Sequence, residues 1–425
     1  MSREMKDSGV PWIGEIPKEW NIDTIGNLYT LRTEKVSDKD YAPLSVTKMG
    51  IVPQLETAAK TDDGDNRKLV KVGDFAINSR SDRRGSCGIS AYDGSVSLIN
   101  LVLTPRGQMN PRFYNWLFHS ELFADEFYKW GHGIVDDLWT TRWQEMKRIT
   151  IVAPSLSEQQ KIANFLDKKC SEVDEMIALQ EQIIEELKAY KQSVITEAVT
   201  KGLNPNVPMK DSEILFVDKI PSHWKETKTL RLLEMPITDG PHETPEGLDN
   251  GIPFISADAV SDGYINFDNK WGYISRPYYE ECCKKYIPQK YDIYMIKSGA
   301  STGRTAIVET DEVFTIWSPL AVFRANNNII LPYFLLYVLR SDSYLKQVES
   351  KWTYGTQQNI GMRVLEKLII SYPPLTEQQS IADYLDKKCD EIDKLIAIKQ
   401  QKIESLKEYK KSIIYEYVTG KKEVV

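Results

Sequence analysis

The chain repeats itself. Residues Pro154 to Thr200 align without a gap with Pro373 to Thr419, and 28 of the 47 positions are identical at an offset of 219. A repeat of this length constrains architecture first, because both copies must fold alike and each must cover its own apolar face. A shorter repeat precedes each copy: Met5-Lys-Asp-Ser8 recurs as Met209-Lys-Asp-Ser212, and Ile16-Pro17-x-x-Trp20 as Ile220-Pro221-x-x-Trp224. A weaker echo sets Asp74…Gly85…Ile89 against Asp292…Gly303…Ile307. The second copy carries about 14 additional residues between Trp224 and Asp292. The order along the chain is therefore variable segment, helix, variable segment, helix.

The repeated element reads as a long helix. Ser157-x-x-Gln160 and Thr376-x-x-Gln379 have the pattern of capping boxes, each just after a proline. Apolar residues then recur at spacings of three and four. In the first copy they are Val173, Met176, Ile177, Ile183, Ile184, Leu187, Tyr190 and Val194; in the second, Ile392, Leu395, Ile396, Ile403, Leu406, Tyr409 and Ile413. This is the a, d and e stripe of a heptad, with polar Gln180 or Lys399 at one a-like position. Each helix should run on the order of 43 residues, roughly 64 Å at 1.5 Å per residue. The first stops at Gly202 and Asn204-Pro205. One such helix cannot hide its stripe alone, and the nearest partner is the other copy, paired antiparallel about a pseudo-twofold axis.

The variable segments read as mixed α/β. Strand-like runs are Leu69–Ile77, Val96–Thr104, Val313–Phe323 and Leu368–Tyr372; Arg112–Phe127 and Pro332–Gln347 read as helices packed on them. The fold class is α+β: two mixed α/β domains, residues 1–153 and 204–372, separated by two long antiparallel coiled-coil helices, 154–203 and 373–425. Trp20 and Trp224 should pack each segment against its neighbour.

Composition excludes several classes. With 41% hydrophobic and 27% charged residues the chain can bury full cores, so no disulfide scaffold is needed. Cys87, Cys170, Cys282, Cys283 and Cys389 form no C-x-x-C pair and have no His at zinc spacing, which predicts reduced thiols and no metal site. The N-terminus has no apolar signal region. The longest apolar run, Ile329 to Leu339, contains a proline and falls short of the ~20 residues that span a bilayer. A cytoplasmic protein without membrane contact is expected.

No catalytic constellation stands out. Ser298-Gly-Ala-Ser-Thr-Gly-Arg-Thr305 is one residue short of a phosphate loop between its glycines and has Arg304 in place of the lysine. Ser371-Tyr-Pro-Pro374 has the wrong order for an amino-methyltransferase signature and no glycine-rich cofactor motif beside it. Four histidines, at 119, 132, 223 and 242, form no H-E-x-x-H. A binding role is expected instead. The net charge of −7 restricts any nucleic-acid surface to local patches. Candidates for DNA contact are Arg80, Arg83 and Arg84 in a loop after a strand, with pairing to Asp82 as the opposing reading. Others are Arg142 beside Trp139, Lys297, Thr302 and Arg304 in the corresponding loop of the second segment, and Gln357, Gln358 and Asn359, whose amides suit adenine edges. Helix-packing candidates are Val173, Ile177, Ile184, Leu187, Val194, Ile392, Ile396, Ile403, Leu406 and Ile413.

The G-x-I-P-x-x-W opening and the P-x-L-[ST]-E-Q-Q-x-I-A helix starts, over essentially the whole chain, resemble the specificity subunits of type I restriction–modification systems. Two departures occur: Asp218 replaces the glycine found at Gly14, and the first copy has Gly133-Ile-Val-Asp-Asp-Leu-Trp139 where the second has Thr356-Gln-Gln-Asn359. The resemblance implies that each variable segment is a target-recognition domain reading one half of a split site in double-stranded DNA. It implies that the helices are spacers docking two methyltransferase subunits, with two restriction subunits completing a nuclease. The chain itself would hold no cofactor; S-adenosylmethionine and ATP would sit on the partners. The competing expectation is a coiled-coil protein-interaction scaffold that does not bind DNA.

Overall fold

The computed structural model describes residues 3–54, 64–133, 139–351, 353–354 and 358–424. The chain divides into two compact units, Met1–Glu181 with Gln400–Val425, and Gln182–Lys399. Each unit holds one variable segment, the near part of one long helix and the far part of the other.

In the first unit the short repeat forms a hairpin, Met5–Asp7 against Glu15–Pro17, with Met5 opposite Pro17. Strand Asn21–Thr24 then pairs antiparallel with Thr150–Ala153, which leads into the long helix. Between them lies a four-stranded sheet in the order Cys87–Ile89, Phe75–Asn78, Asn100–Pro105, Tyr29–Leu31. Helices Pro111–Phe118 and Glu121–Lys129 accompany it. Phe75, Phe113, Phe118, Phe123, Tyr29 and Tyr114 form its fully buried aromatic centre.

The second unit repeats this plan. Its hairpin Met209–Asp211/Lys219–Pro221 has the same register, Met209 opposite Pro221, and Lys225–Lys228 pairs with Ile369–Tyr372. Its main sheet has five strands: Thr238–Asp239, Leu320–Phe323, Ile293–Ile296, Thr305–Ile307 and Gly263–Tyr264. The fifth strand, and helix Arg276–Cys283, lie in the stretch where the second copy is longer.

Several predicted elements are each divided in two. Leu69–Ile77 becomes Arg67–Val70 and Phe75–Asn78, because Gly73 takes a φ of +88° and the Asp74 carboxylate accepts from the Lys71 amide at 2.9 Å, closing a turn. Val96–Thr104 becomes Gly94–Val96 and Asn100–Pro105; Val313–Phe323 becomes Thr315–Ile316 and Leu320–Phe323 around Ser318-Pro319. The predicted helices Arg112–Phe127 and Pro332–Gln347 break at Ser120 and Ser341. Each serine side chain caps a new helix by accepting from the third residue on, Phe123 or Tyr344.

The long helices are Leu156–Lys201, 46 residues, and Leu375–Val418, 44 residues. Their pairing is antiparallel. In the first unit Phe165 lies on Tyr417 with ring centroids 4.3 Å apart, and Lys410 Nζ bonds Asp174 at 2.7 Å. In the second, Lys191 Nζ bonds Asp393 at 2.8 Å. The two lysine–aspartate pairs are related by the repeat itself.

The seam is narrower than the sequence pattern suggests. Val173, Ile184, Ile392, Ile403, Leu406 and Ile413 are buried, and Ile177, Leu187, Val194 and Ile396 are half-buried. The d positions depart from expectation: Met176, Tyr190, Leu395 and Tyr409 are 46–50% exposed. The ten side chains named above stand at a and e of the register set by Gln180 and Lys399, so the d flank stays in solvent.

The helix caps also differ from the sequence reading. Both helices begin before the expected boxes, so Ser157 and Thr376 lie inside the first turn. In the first, Ser155 is the cap, its hydroxyl accepting from the Glu158 amide at 3.3 Å; in the second, the Pro374 carbonyl accepts from the amides of Glu377 and Gln378. The repeated letters serve long-range ties instead. Trp20 Nε1 donates to Glu158 at 2.7 Å and Trp224 Nε1 to Glu377 at 3.1 Å. The two repeats in the sequence are thus two sides of one contact. Both tryptophans are at most 1% exposed, each edge-on to a helix phenylalanine, Phe113 or Phe334, at 6.4 Å.

Candidate nucleic-acid interface

The loops singled out in each segment meet in space. In the first unit, the loop after strand Phe75–Asn78 lies against the segment ending in Arg142. The Thr141 amide donates to the Ser79 carbonyl at 3.0 Å, and the Ser81 amide to that of Trp139 at 3.1 Å. Arg80 and Thr140 form an antiparallel bridge. In the second unit, the Ile360 amide donates to the Lys297 carbonyl at 2.9 Å, and Ser298 bridges Asn359. The same backbone construction occurs in both units with different side chains on it. Two stretches about sixty residues apart in sequence form one edge in each.

The base of each edge explains the weak echo in the sequence. Asp74 is held by Arg32 through two bonds, 2.6 and 3.0 Å; Asp292 is held by Arg324 through bonds of 2.7 and 2.8 Å. Each aspartate also accepts from the amide three residues before it, Lys71 or Gln289. Gly85 and Gly303 take φ of +77° and +93°, the left-handed region that favours glycine. The aspartate sets the strand start and the glycine turns the loop.

The individual candidates are not equivalent. Arg83 is exposed but 3.5 Å from Asp82, the pairing that the opposing reading anticipates. Arg84 is held by Asp125. Arg80, half-buried, and Arg142, exposed, make no ion pair among the described residues. Lys297 is 13% exposed and its ammonium is 3.1 Å from Asp239. Thr302 closes its own turn by donating to the Gly299 carbonyl at 2.7 Å, whereas Arg304 is exposed. Asn359 lies in the short strand Gln358–Asn359, paired with Thr353–Tyr354. Gln357 and residues 134–138 lie outside the described residues. Pairing partners such as Asp125 and Asp239 are 41 and 58 residues from the cations they meet, and no local spacing signals them.

All five cysteines are free thiols, with Cys87, Cys170 and Cys389 buried. Burial pushes the Cys87 thiol far above its ordinary value. Among the described residues no cluster of His, Cys, Asp or Glu could hold a metal ion. No helix among them is long and apolar enough to cross a membrane.

A family model for the type I restriction modification DNA specificity domain matches residues 243–408, spanning the second edge and much of the second long helix. The chain is similar over nearly its whole length to specificity subunits of type I restriction–modification systems. It is 26% identical over 438 residues to the putative type I restriction enzyme MjaX specificity subunit of Methanocaldococcus jannaschii, with 96% of this chain and 95% of that one covered. It is 27% identical over 435 residues to the MjaVIII specificity subunit of the same organism, covering 96% and 93%. A chain in a solved structure of a type I R-M system shares the fold, with TM-score 0.71, 17% identity and coverage of 95% and 98%. The likeness to these specificity subunits extends over both copies of the frame. These likenesses favour DNA recognition over a scaffold role.

Proposed function

We propose that the chain is the non-catalytic subunit that reads a split, non-palindromic site in double-stranded DNA for a type I restriction–modification complex. Residues 1–153 and 204–372 each read one half-site. The long helices dock two methyltransferase subunits, whose S-adenosylmethionine carries out adenine modification; two ATP-dependent restriction subunits complete the assembly. The observation that carries this reading is the pair of edges, alike in backbone and unlike in side chains: the Arg80–Thr140 edge and the Ser298–Asn359 edge. Such a pair suits two readers of different base sequences. The exposed apolar flank of Met176, Tyr190, Leu395 and Tyr409 supports partner docking along the helices.

Replacing residues 1–153 with the equivalent segment of a relative should change one half-site and leave the other as it was. Sequencing methylated sites in a host carrying the chimaera checks this; a change in both halves would sink the modular reading.

Alanine at Arg80, Arg83 and Arg84 together should weaken DNA binding and flatten its salt dependence. The slope should fall by about one for each phosphate interaction removed. Most of the effect should come from Arg80, since Asp82 and Asp125 already engage the other two. Binding measured across a salt series decides it: an unchanged slope places this loop away from DNA.

A further inference from the structure

Asp239 is a buried carboxylate among two lysines and a histidine. Its side chain is 1% exposed, Lys297 Nζ is 3.1 Å from it and His242 Nε2 is 3.3 Å away. The ammonium of Lys285 bonds its other oxygen. Burial works against the negative charge, yet Lys285 and Lys297 hold the carboxyl below its ordinary value. The three side chains come from different parts of the fold: a loop, the end of a helix and the strand that enters the reading edge.

The backbone makes this arrangement stiff. A side chain at Gly240 would place its Cβ 1.9 Å from the Ile316 carbonyl oxygen, so the loop carrying Asp239 and His242 lies directly on a strand. Lys297 is tied at the other end, since its carbonyl accepts from the Ile360 amide and its neighbour Ser298 bridges Asn359. The outer two side chains remain reachable: Lys285 is 50% and His242 72% exposed. Glu243 lies beside them, lining the same cavity of about 140 Å³ as Asp239 and Lys285. The first unit differs at this place. Asp239 pairs with Ala321 in the sheet, whose counterpart by register is Leu101; the facing strand there, Tyr29–Leu31, is followed by Arg32 and Thr33 and puts no aspartate at this place.

We propose that Asp239 is a positioning residue that holds Lys285, His242 and Lys297 as a contact for a DNA backbone phosphate flanking the second reading edge. Fixed cations lose less freedom on binding than free lysines do, and a phosphate oxygen is the acceptor they suit. The proposal rests on the DNA-reading function and adds an asymmetry: the second half-site is gripped by a phosphate contact that the first does without.

The test uses the full chain with its methyltransferase partners and a duplex carrying its methylated site, bound across a salt series at constant pH. Removing a negative charge near DNA ordinarily tightens binding, and Glu243→Gln should do so. Asp239→Asn should do the opposite, weakening binding about tenfold, the worth of one charge-assisted hydrogen bond. The salt slope should fall by about one to two, which a merely structural defect would not produce. Lys285→Gln, on an exposed side chain, should lower the slope with the fold intact, and so reports even if Asp239→Asn does not fold. Equal or tighter binding by Asp239→Asn, or an unchanged slope for Lys285→Gln, overturns the proposal. Failure of the unaltered complex to bind DNA at all overturns the functional reading beneath it.

Discussion

Leu406→Asp should destabilise the first unit by about 3–5 kcal/mol, while the same change at its repeat counterpart Leu187 should cost distinctly less. Leu406 is 7% exposed in the helix seam, among Ile403 and Ile413, which are buried as well. Truncating a buried leucine alone costs about 2–5 kcal/mol, and an aspartate adds the penalty of an unpaired charge in an apolar seam. Leu187 occupies the same repeat position but is only half-buried, so an aspartate there can turn toward water. Leu395→Asp, on the exposed flank, should fall within about 0.5 kcal/mol of the parent and instead reduce association with a methyltransferase subunit. Denaturant titration of the three variants, with partner co-purification beside it, gives the ranking. Equal destabilisation at positions 406 and 187, or full stability for Leu406→Asp, would mean that the seam does not bear the pairing.

The second large effect is expected at the glutamines that begin the long helices. Gln378 is fully buried; it accepts from the Leu331 amide at 2.8 Å and donates to the carbonyls of Ile329 and Pro373, each at 2.9 Å. Gln159 does the same work in the first unit with fewer ties, accepting from the Asn110 amide and donating to the Pro154 carbonyl, both at 2.8 Å. Leucine has similar bulk and none of these bonds. Each buried group left without a partner costs about 1–3 kcal/mol, so Gln378→Leu should cost about 3 kcal/mol or more and Gln159→Leu somewhat less. Gln379→Leu, whose exposed side chain bonds Asp383 one turn on, should be nearly neutral. Thermal or denaturant unfolding checks the order, and near-neutrality at Gln378 would show that the helix start is held by other contacts.

These two cases mark where sequence reasoning ends. Periodicity is a local property, readable at i, i+3 and i+4, so the sequence alone determined that two long related helices exist, where they run and that they need each other. The duplication determined that the two variable segments share a frame, and its motifs carry the resemblance to specificity subunits. Tertiary structure decided which letters of the helix-start motif matter and why. Glu158 and Gln159 are turned to Trp20 and Asn110, partners 138 and 49 residues away, while the residues expected to cap do not. It decided that d positions such as Met176 and Tyr409 face solvent, because seam width depends on how many helices pack and not on the stripe that one helix carries. It also decided that Arg80 meets Thr140 and Ser298 meets Asn359. Such edges form where the sheet brings distant loops together, and no spacing within either loop encodes the meeting. The same holds for Asp239, whose lysine partners Lys285 and Lys297 lie 46 and 58 residues along the chain.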